Sequence, residues 1–169
     1  DQFGIYLDPM VGLGSARLSI IDLSTGQQPI ANEDGNLWIV FNGEIFNYVE
    51  LRVDLESRGH QFSTQSDTEV ILHLYEEYGP DCVKHLNGQF AIAIWDSIEQ
   101  RLVLARDRLG IRPLYYTVAD GALIFGSESK ALLADPRVYA EIDPVALDQI
   151  FTLWSTLSPR SVFKGISDI

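Results

Sequence analysis

Cysteine is almost absent from this sequence: Cys82 is the single one in 169 residues. A lone thiol forms no internal disulfide, so a reducing compartment is the simplest expectation and a cytoplasmic location follows from it. It also leaves little to build a zinc site from, and the three histidines, His60, His73 and His85, lack metal-ligand spacing. No metal and no other cofactor is expected in this stretch of chain. Positive charge is scarce as well. Lys and Arg number 12 against 24 Asp and Glu, for a net charge of -12. Such a surface repels phosphates, which argues against nucleic acid and against anionic membranes as partners; plain solubility is its ordinary meaning. No apolar run approaches the roughly 18 residues of a membrane span. The opening Asp1-Gln2-Phe3-Gly4 has neither the basic start nor the apolar stretch of a signal peptide, and no initiator Met, so residues are expected to precede it.

What is present suits one domain with a tail: 46% apolar and 21% charged residues, enough to bury a core. Residues 11–22 and 37–42 read as strands. Asn47 and Glu50 have capping-box spacing and open a helix to about Arg58, with Tyr48, Leu51 and Leu55 on its inner face. Ser66 and Glu69 form a second such box, and Val70, Ile71, Leu74, Tyr75 and Tyr78 follow at helical spacing until Gly79-Pro80 stops the helix. Residues 90–95 and 102–105 are short apolar runs joined by a polar turn. Residues 114–116 and 122–125 flank Asp120-Gly121, a hairpin signal. Short links make these strands antiparallel, yet their runs are nearly continuous, so both faces should be buried. The α+β arrangement that satisfies this is a four-layer α/β/β/α sandwich, two antiparallel sheets face to face with helices outside. A last helix starts at Asp143-Pro144. Its stripe of Leu147, Ile150, Phe151 and Trp154 either packs back on the sandwich or leads toward another domain.

Several segments carry charge or strain where a plain fold needs neither. Arg17 lies inside the apolar run Leu18-Ser19-Ile20-Ile21; a structural salt bridge explains it, and so does a ligand carboxylate gripped by the guanidinium fork. Asn42-Gly43 is either a turn or a pair of donors, side-chain amide and backbone N–H, aimed at a developing oxyanion. Asp67, in the first turn of a helix, complements the helix dipole and could equally hold an ammonium group. Charges between Arg106 and Arg112 pair most cheaply with each other. Cys82 has no His or Asn beside it and reads as a small buried hydrophobe.

Taken together these segments resemble the class II glutamine amidotransferase domain, an N-terminal-nucleophile hydrolase with the same four-layer sandwich. The run from Arg106-Asp107 through Pro113-Leu114-Tyr115-Tyr116, then Ser127-Glu128-Ser129-Lys130-Ala131-Leu132, looks like the general signature of that class. Arg17-Leu18-Ser19-Ile20-Ile21-Asp22, Gln28-Pro29, Asn42-Gly43-Glu44-Ile45-Phe46-Asn47-Tyr48, Gly59-His60 and Ser66-Asp67-Thr68-Glu69 are similar to glutamine-hydrolysing asparagine synthetases. The resemblance implies L-glutamine as substrate, with Arg17 on its carboxylate, Asp67 and Glu44 on its ammonium group, and backbone from Leu18 to Ile21, including Ile20, along one wall. It implies Asn42 and Gly43 as the oxyanion hole.

The family's nucleophile is a cysteine at the mature N-terminus whose own α-amine acts as base. Asp1-Gln2-Phe3-Gly4 looks like the end of a later segment, so the nucleophile and its N-terminal strand are expected to be missing from this stretch. Residues 1–140 would be the amidotransferase domain. Residues 141–169 would be a helix and linker toward a synthetase domain, where ATP and Mg would be used on aspartate. A homo-oligomer is a further expectation. A degenerate module that binds glutamine or a partner without hydrolysis, and a transferase for another acceptor carboxylate, are the alternatives. Residues 1–169 alone should release no ammonia from glutamine; turnover that Cys82→Ser abolishes would overturn the structural role of Cys82.

Overall fold

The computed structural model describes residues 2–17 and 27–169, the side chains of Gln2 and Arg17 excepted. The chain divides into two compact units, Asp1–Asp107 and Arg108–Ile169.

The first unit opens with an antiparallel hairpin of β1 (Gln2–Leu7) and β2 (Gly12–Arg17), with Gln2 opposite Arg17 and Leu7 opposite Gly12. β1 precedes the first strand expected. Its sequence signal is the alternation of Phe3, Ile5 and Leu7, which point to solvent and not to a core. Of the strand expected over 11–22, β2 covers the first part; residues 18–26 lie outside the described residues.

A four-stranded antiparallel sheet follows in the order β3 (Ile30–Ala31), β4 (Leu37–Ile45), β5 (Gly88–Asp96) and β6 (Arg101–Arg106). Between β4 and β5 the chain forms α1 (Tyr48–Ser57), α2 (Asp67–Tyr78) and a 3₁₀ turn at Gly79–His85. Leu37, Ile39, Phe41 and Ile45 alternate along β4 onto one buried face. They join Leu55 of α1, Val70, Ile71 and Leu74 of α2, and Cys82 in one core. β5 is buried on both faces from Phe90 to Asp96, as its continuous apolar run requires.

β4 runs past the expected end at residue 42 because its pairing with β5 continues to Ile45 opposite Gly88. Two glycines permit this. A Cβ at Gly43 would fall 2.0 Å from the Gln89 carbonyl oxygen, and one at Gly88 would fall 2.3 Å from that of Glu44.

The caps differ from the expected boxes. Asn47 caps nothing on α1; its amide donates to the His85 carbonyl at 3.0 Å and accepts from Asn87 N–H at 2.9 Å, stitching the helix start to the entry of β5. Ser66 does cap α2, accepting from Thr68 N–H at 3.2 Å. Glu69 reaches instead to Ser63 and Thr64.

The second unit holds the hairpin of β7 (Tyr115–Ala119) and β8 (Ala122–Gly126), with Asp120 and Gly121 both at positive φ in the turn. β9 (Ser167–Asp168) adds to β7, and α3 (Ser129–Leu132) packs on the hairpin. These strands are not buried on both faces: Val118 and Leu123, opposite one another beside the turn, are exposed. α4 (Pro144–Leu153) begins as expected, with Asp143 accepting from Val145 N–H at 2.9 Å. Along this helix Ala146 is buried and Ile150 half-buried, while Phe151 is 79% and the adjoining Trp154 92% exposed.

The close approach of β4 and β5 gives a paired prediction. Gly88→Ala should cost about 1–3 kcal/mol, through overpacking and a displaced backbone. Gly14→Ala, whose Cβ meets nothing within 4 Å, should stay within about 0.5 kcal/mol. Urea unfolding of the two variants measures the difference.

Candidate functional site

Among the described residues, β3 pairs with β4 only at Ile39 and Trp38, and beyond Phe41 no described strand pairs with the edge of β4 away from β5. Two buried side chains take the place of a strand there. Gln28 accepts from Phe41 N–H through Oε1 at 2.7 Å, and its amide donates to Thr68 Oγ1 at 3.3 Å. Asp67, at the start of α2, accepts from Ile45 N–H at 3.1 Å. In an antiparallel ladder alternate residues direct their N–H groups to the same side. Gly43 therefore lies midway between two amides already taken by side chains. Its φ of 150° is a backbone state that side chains rarely adopt. Asn42 and Glu44 flank it, exposed on the face of β4 opposite Phe41 and Ile45.

The N-terminus of α2 is held by an acidic cradle. Glu69 is buried and accepts four hydrogen bonds: from Ser63 N–H and hydroxyl, each at 2.8 Å, from Thr64 N–H at 2.7 Å and from the Thr64 hydroxyl at 2.6 Å. Burial works to raise its pKa, but the bonds from Thr64 and Ser63 outweigh burial and hold the carboxyl below its ordinary value. This cradle fixes the turn that presents Asp67.

The residues singled out from sequence distribute as follows. Asn42, Gly43 and Glu44 share the end of β4, and the Asp67–Ile45 bond brings Asp67 to them. Arg17 ends β2, which packs beside β4, but its side chain lies outside the described residues, as do Leu18, Ile20 and Ile21. Gln28 was legible only as part of a dipeptide; its role in holding the β4 edge needed the fold. Cys82 is fully buried, and burial pushes its thiol up to about 11, which suits a core residue and not a nucleophile. An open pocket lined by Pro113, Tyr115, Ser127 and Glu128 lies in the second unit and includes none of these groups. Among the described residues, the metal-competent cluster is His60, His73 and Glu76.

Mixed helices and antiparallel sheets accord with the fold of the N-terminal-nucleophile glutamine amidotransferases. The glutamine phosphoribosylpyrophosphate amidotransferase of B. subtilis, solved with ADP and GMP, matches 79% of this chain and 31% of its own at a TM-score of 0.63 and 27% identity. The chain belongs to the glutamine amidotransferase domain family, whose model matches residues 1–169. Asparagine synthetase [glutamine-hydrolyzing] 3 of Bacillus subtilis (strain 168) is 44% identical over 172 residues, covering 100% of this chain and 28% of the relative. Amidase chyE of Penicillium rubens is 46% identical over 157 residues, covering 92% of this chain and 23% of the relative. The chain thus spans under a third of the length of these curated relatives.

Glu69 sets a pH dependence. A carboxyl with a depressed folded pKa adds stability that is present above its unfolded value, about 4.3, and is lost as pH falls through the folded value. Glu69→Gln should therefore cost about 1–3 kcal/mol at pH 7. The gap from wild type should close as pH drops below about 4. Urea unfolding between neutral and acid pH measures both.

Proposed function

We propose that this domain hydrolyses L-glutamine and that the longer protein passes the ammonia to ATP-dependent synthesis of asparagine from aspartate. The observation that supports the site is that the fold brings Asp67, distant in sequence, to the run Asn42, Gly43 and Glu44 at the end of β4. In this proposal the Asn42 amide and the Gly43 N–H receive the negative oxygen that develops when a thiolate attacks the glutamine side-chain amide. Arg17 binds the substrate carboxylate in bidentate fashion. Asp67 and Glu44 neutralise the ammonium group, and Leu18 to Ile21 form a wall. The nucleophile is a cysteine at the mature N-terminus, with its own amine as base.

On the same proposal residues 1–140 are the amidotransferase domain, and residues 141–169 lead toward a synthetase domain that uses ATP and Mg; the amidotransferase domain itself needs no cofactor. The exposed Phe151 and Trp154 at α4 accord with a helix that meets another domain. The protein is cytoplasmic and can form a homo-oligomer. Among the described residues no helix is long and apolar enough to cross a membrane. A second reading is transfer to a different acceptor; among the relatives is a fungal protein that is named an amidase and not an asparagine synthetase.

The test is Arg17→Ala in the full-length protein. Removing one partner of a desolvated charge pair costs roughly 2–5 kcal/mol. Glutamine-dependent synthesis should fall by a factor of about 30 or more. Synthesis from added ammonia should be unchanged, because it bypasses the glutamine pocket. Equal loss of both would make Arg17 a folding residue. Asparagine formation from aspartate and ATP separates the two acceptor readings.

A further inference from the structure

The loop between α1 and α2 meets the outer half of α2 through three side chains that the glutamine site does not use. Glu76 Oε2 lies 2.8 Å from His73 Nδ1 and 3.2 Å from His60 Nδ1. One ligand atom from each of His60, His73 and Glu76 lies within 4.8 Å of the other two. Ligands bound to a tetrahedral zinc at about 2.0–2.2 Å stand about 3.3 Å apart, so the 3.2 Å separation needs almost no adjustment and the 2.8 Å one opens by about 0.5 Å. His73 and Glu76 are three positions apart on α2 and share a face, which fixes their half of the arrangement.

The groups behind two of the three, His60 and Glu76, also match a metal centre. A metal-bound histidine typically gives its second ring nitrogen to a carboxylate, and a metal-bound carboxylate is itself hydrogen-bonded. Here His60 Nε2 lies 3.0 Å from Glu77 Oε1, and Arg58 donates to the other Glu77 oxygen at 3.2 Å. Asn32 donates to Glu76 Oε1 at 2.7 Å, leaving Oε2 toward the two imidazoles. His60 thus has a carboxylate at each ring nitrogen. A neutral imidazole can donate to only one of them, and its remaining lone pair then faces an anionic oxygen. A cation bound at Nδ1 turns that repulsion into two attractions. The buried His73 ring is oriented by Phe62, edge-on at 4.5 Å, and its Nε2 has no hydrogen-bond partner, so Nδ1 carries its polar contacts.

We propose that His60, His73 and Glu76 bind a divalent transition metal of the zinc type, with water completing the coordination, and that the ion ties the α1–α2 loop to α2. Two imidazoles and one carboxylate suit zinc and disfavour magnesium or calcium, which take oxygen ligands. The inference is independent of the glutamine site and of the acceptor.

The test is zinc binding by the full-length protein, stripped with chelator and returned to zinc by equilibrium dialysis, with Co²⁺ as a spectroscopic stand-in. Wild type should take up a zinc that His60→Ala does not. Glu77→Gln, an exposed and conservative change behind His60, should weaken that zinc by about 10–100-fold. Co²⁺ should give the visible absorption of a four-coordinate site in wild type and lose it in His60→Ala. Circular dichroism checks that both variants are folded. No uptake at micromolar zinc, or uptake unchanged in both variants, would overturn the proposal and leave the cluster a hydrogen-bonded His–Glu–His network.

Discussion

The amides along the side of β4 away from β5 must be satisfied, and the arrangement of the first unit depends on how. A buried N–H without a partner costs about 1–3 kcal/mol. Here a third strand would satisfy Phe41 and Ile45 but would also cover the segment from Asn42 to Glu44. Two side chains do the work instead. Gln28 bonds Phe41 N–H and Thr68, and Asp67 bonds Ile45 N–H. Each links β4 to the first turn of α2, so the same bonds that satisfy the strand also position the helix. Among the described residues the edge is closed at both ends and open between them.

That opening depends on tight packing on the other side of the strand. β4 and β5 approach so closely at Gly43 and Gly88 that neither position has room for a Cβ. The helix end is equally constrained. Ser66 caps it, and Glu69 gathers four donors from Ser63 and Thr64, so Asp67 has little freedom to leave Ile45. On the proposed reading the site holds a small zwitterion, and such rigidity suits it, because misplacing a charge by an ångström forfeits much of its effect.

The outward surfaces follow different rules. Phe3, Ile5 and Leu7 on β1, and Phe151 and Trp154 at α4, are large apolar groups left in water within this stretch of chain. The chain spans under a third of its curated relatives, and on the proposed reading α4 lies on the way to another domain. The His60–His73–Glu76 cluster is different again, a polar group assembled on the far side of α2 from chain segments with no local signal of ligation.

By itself the sequence determined the elements whose causes are local. Helix α2 followed from its periodicity and its Ser66 cap, the β7–β8 turn from Asp120-Gly121, and the antiparallel pairing from short links. The motif segments were enough to point to the family and to Asn42, Gly43, Glu44 and Asp67. Only the tertiary structure decided what depends on approach between distant segments. It showed that Asn47 bonds His85 and Asn87 and does not cap its helix, and that Glu69 turns back to Ser63 and Thr64. It revealed β1, whose alternating side chains face solvent, and it left Phe151 and Trp154 at α4 exposed. It gave Gln28 a role, and it brought His60 to His73 and Glu76 although their spacing along the chain suggested no ligand set. The physical reason is the same in each case: a polar side chain has several partners within reach of its local sequence, and which one it takes is fixed by the backbone that packing delivers to it.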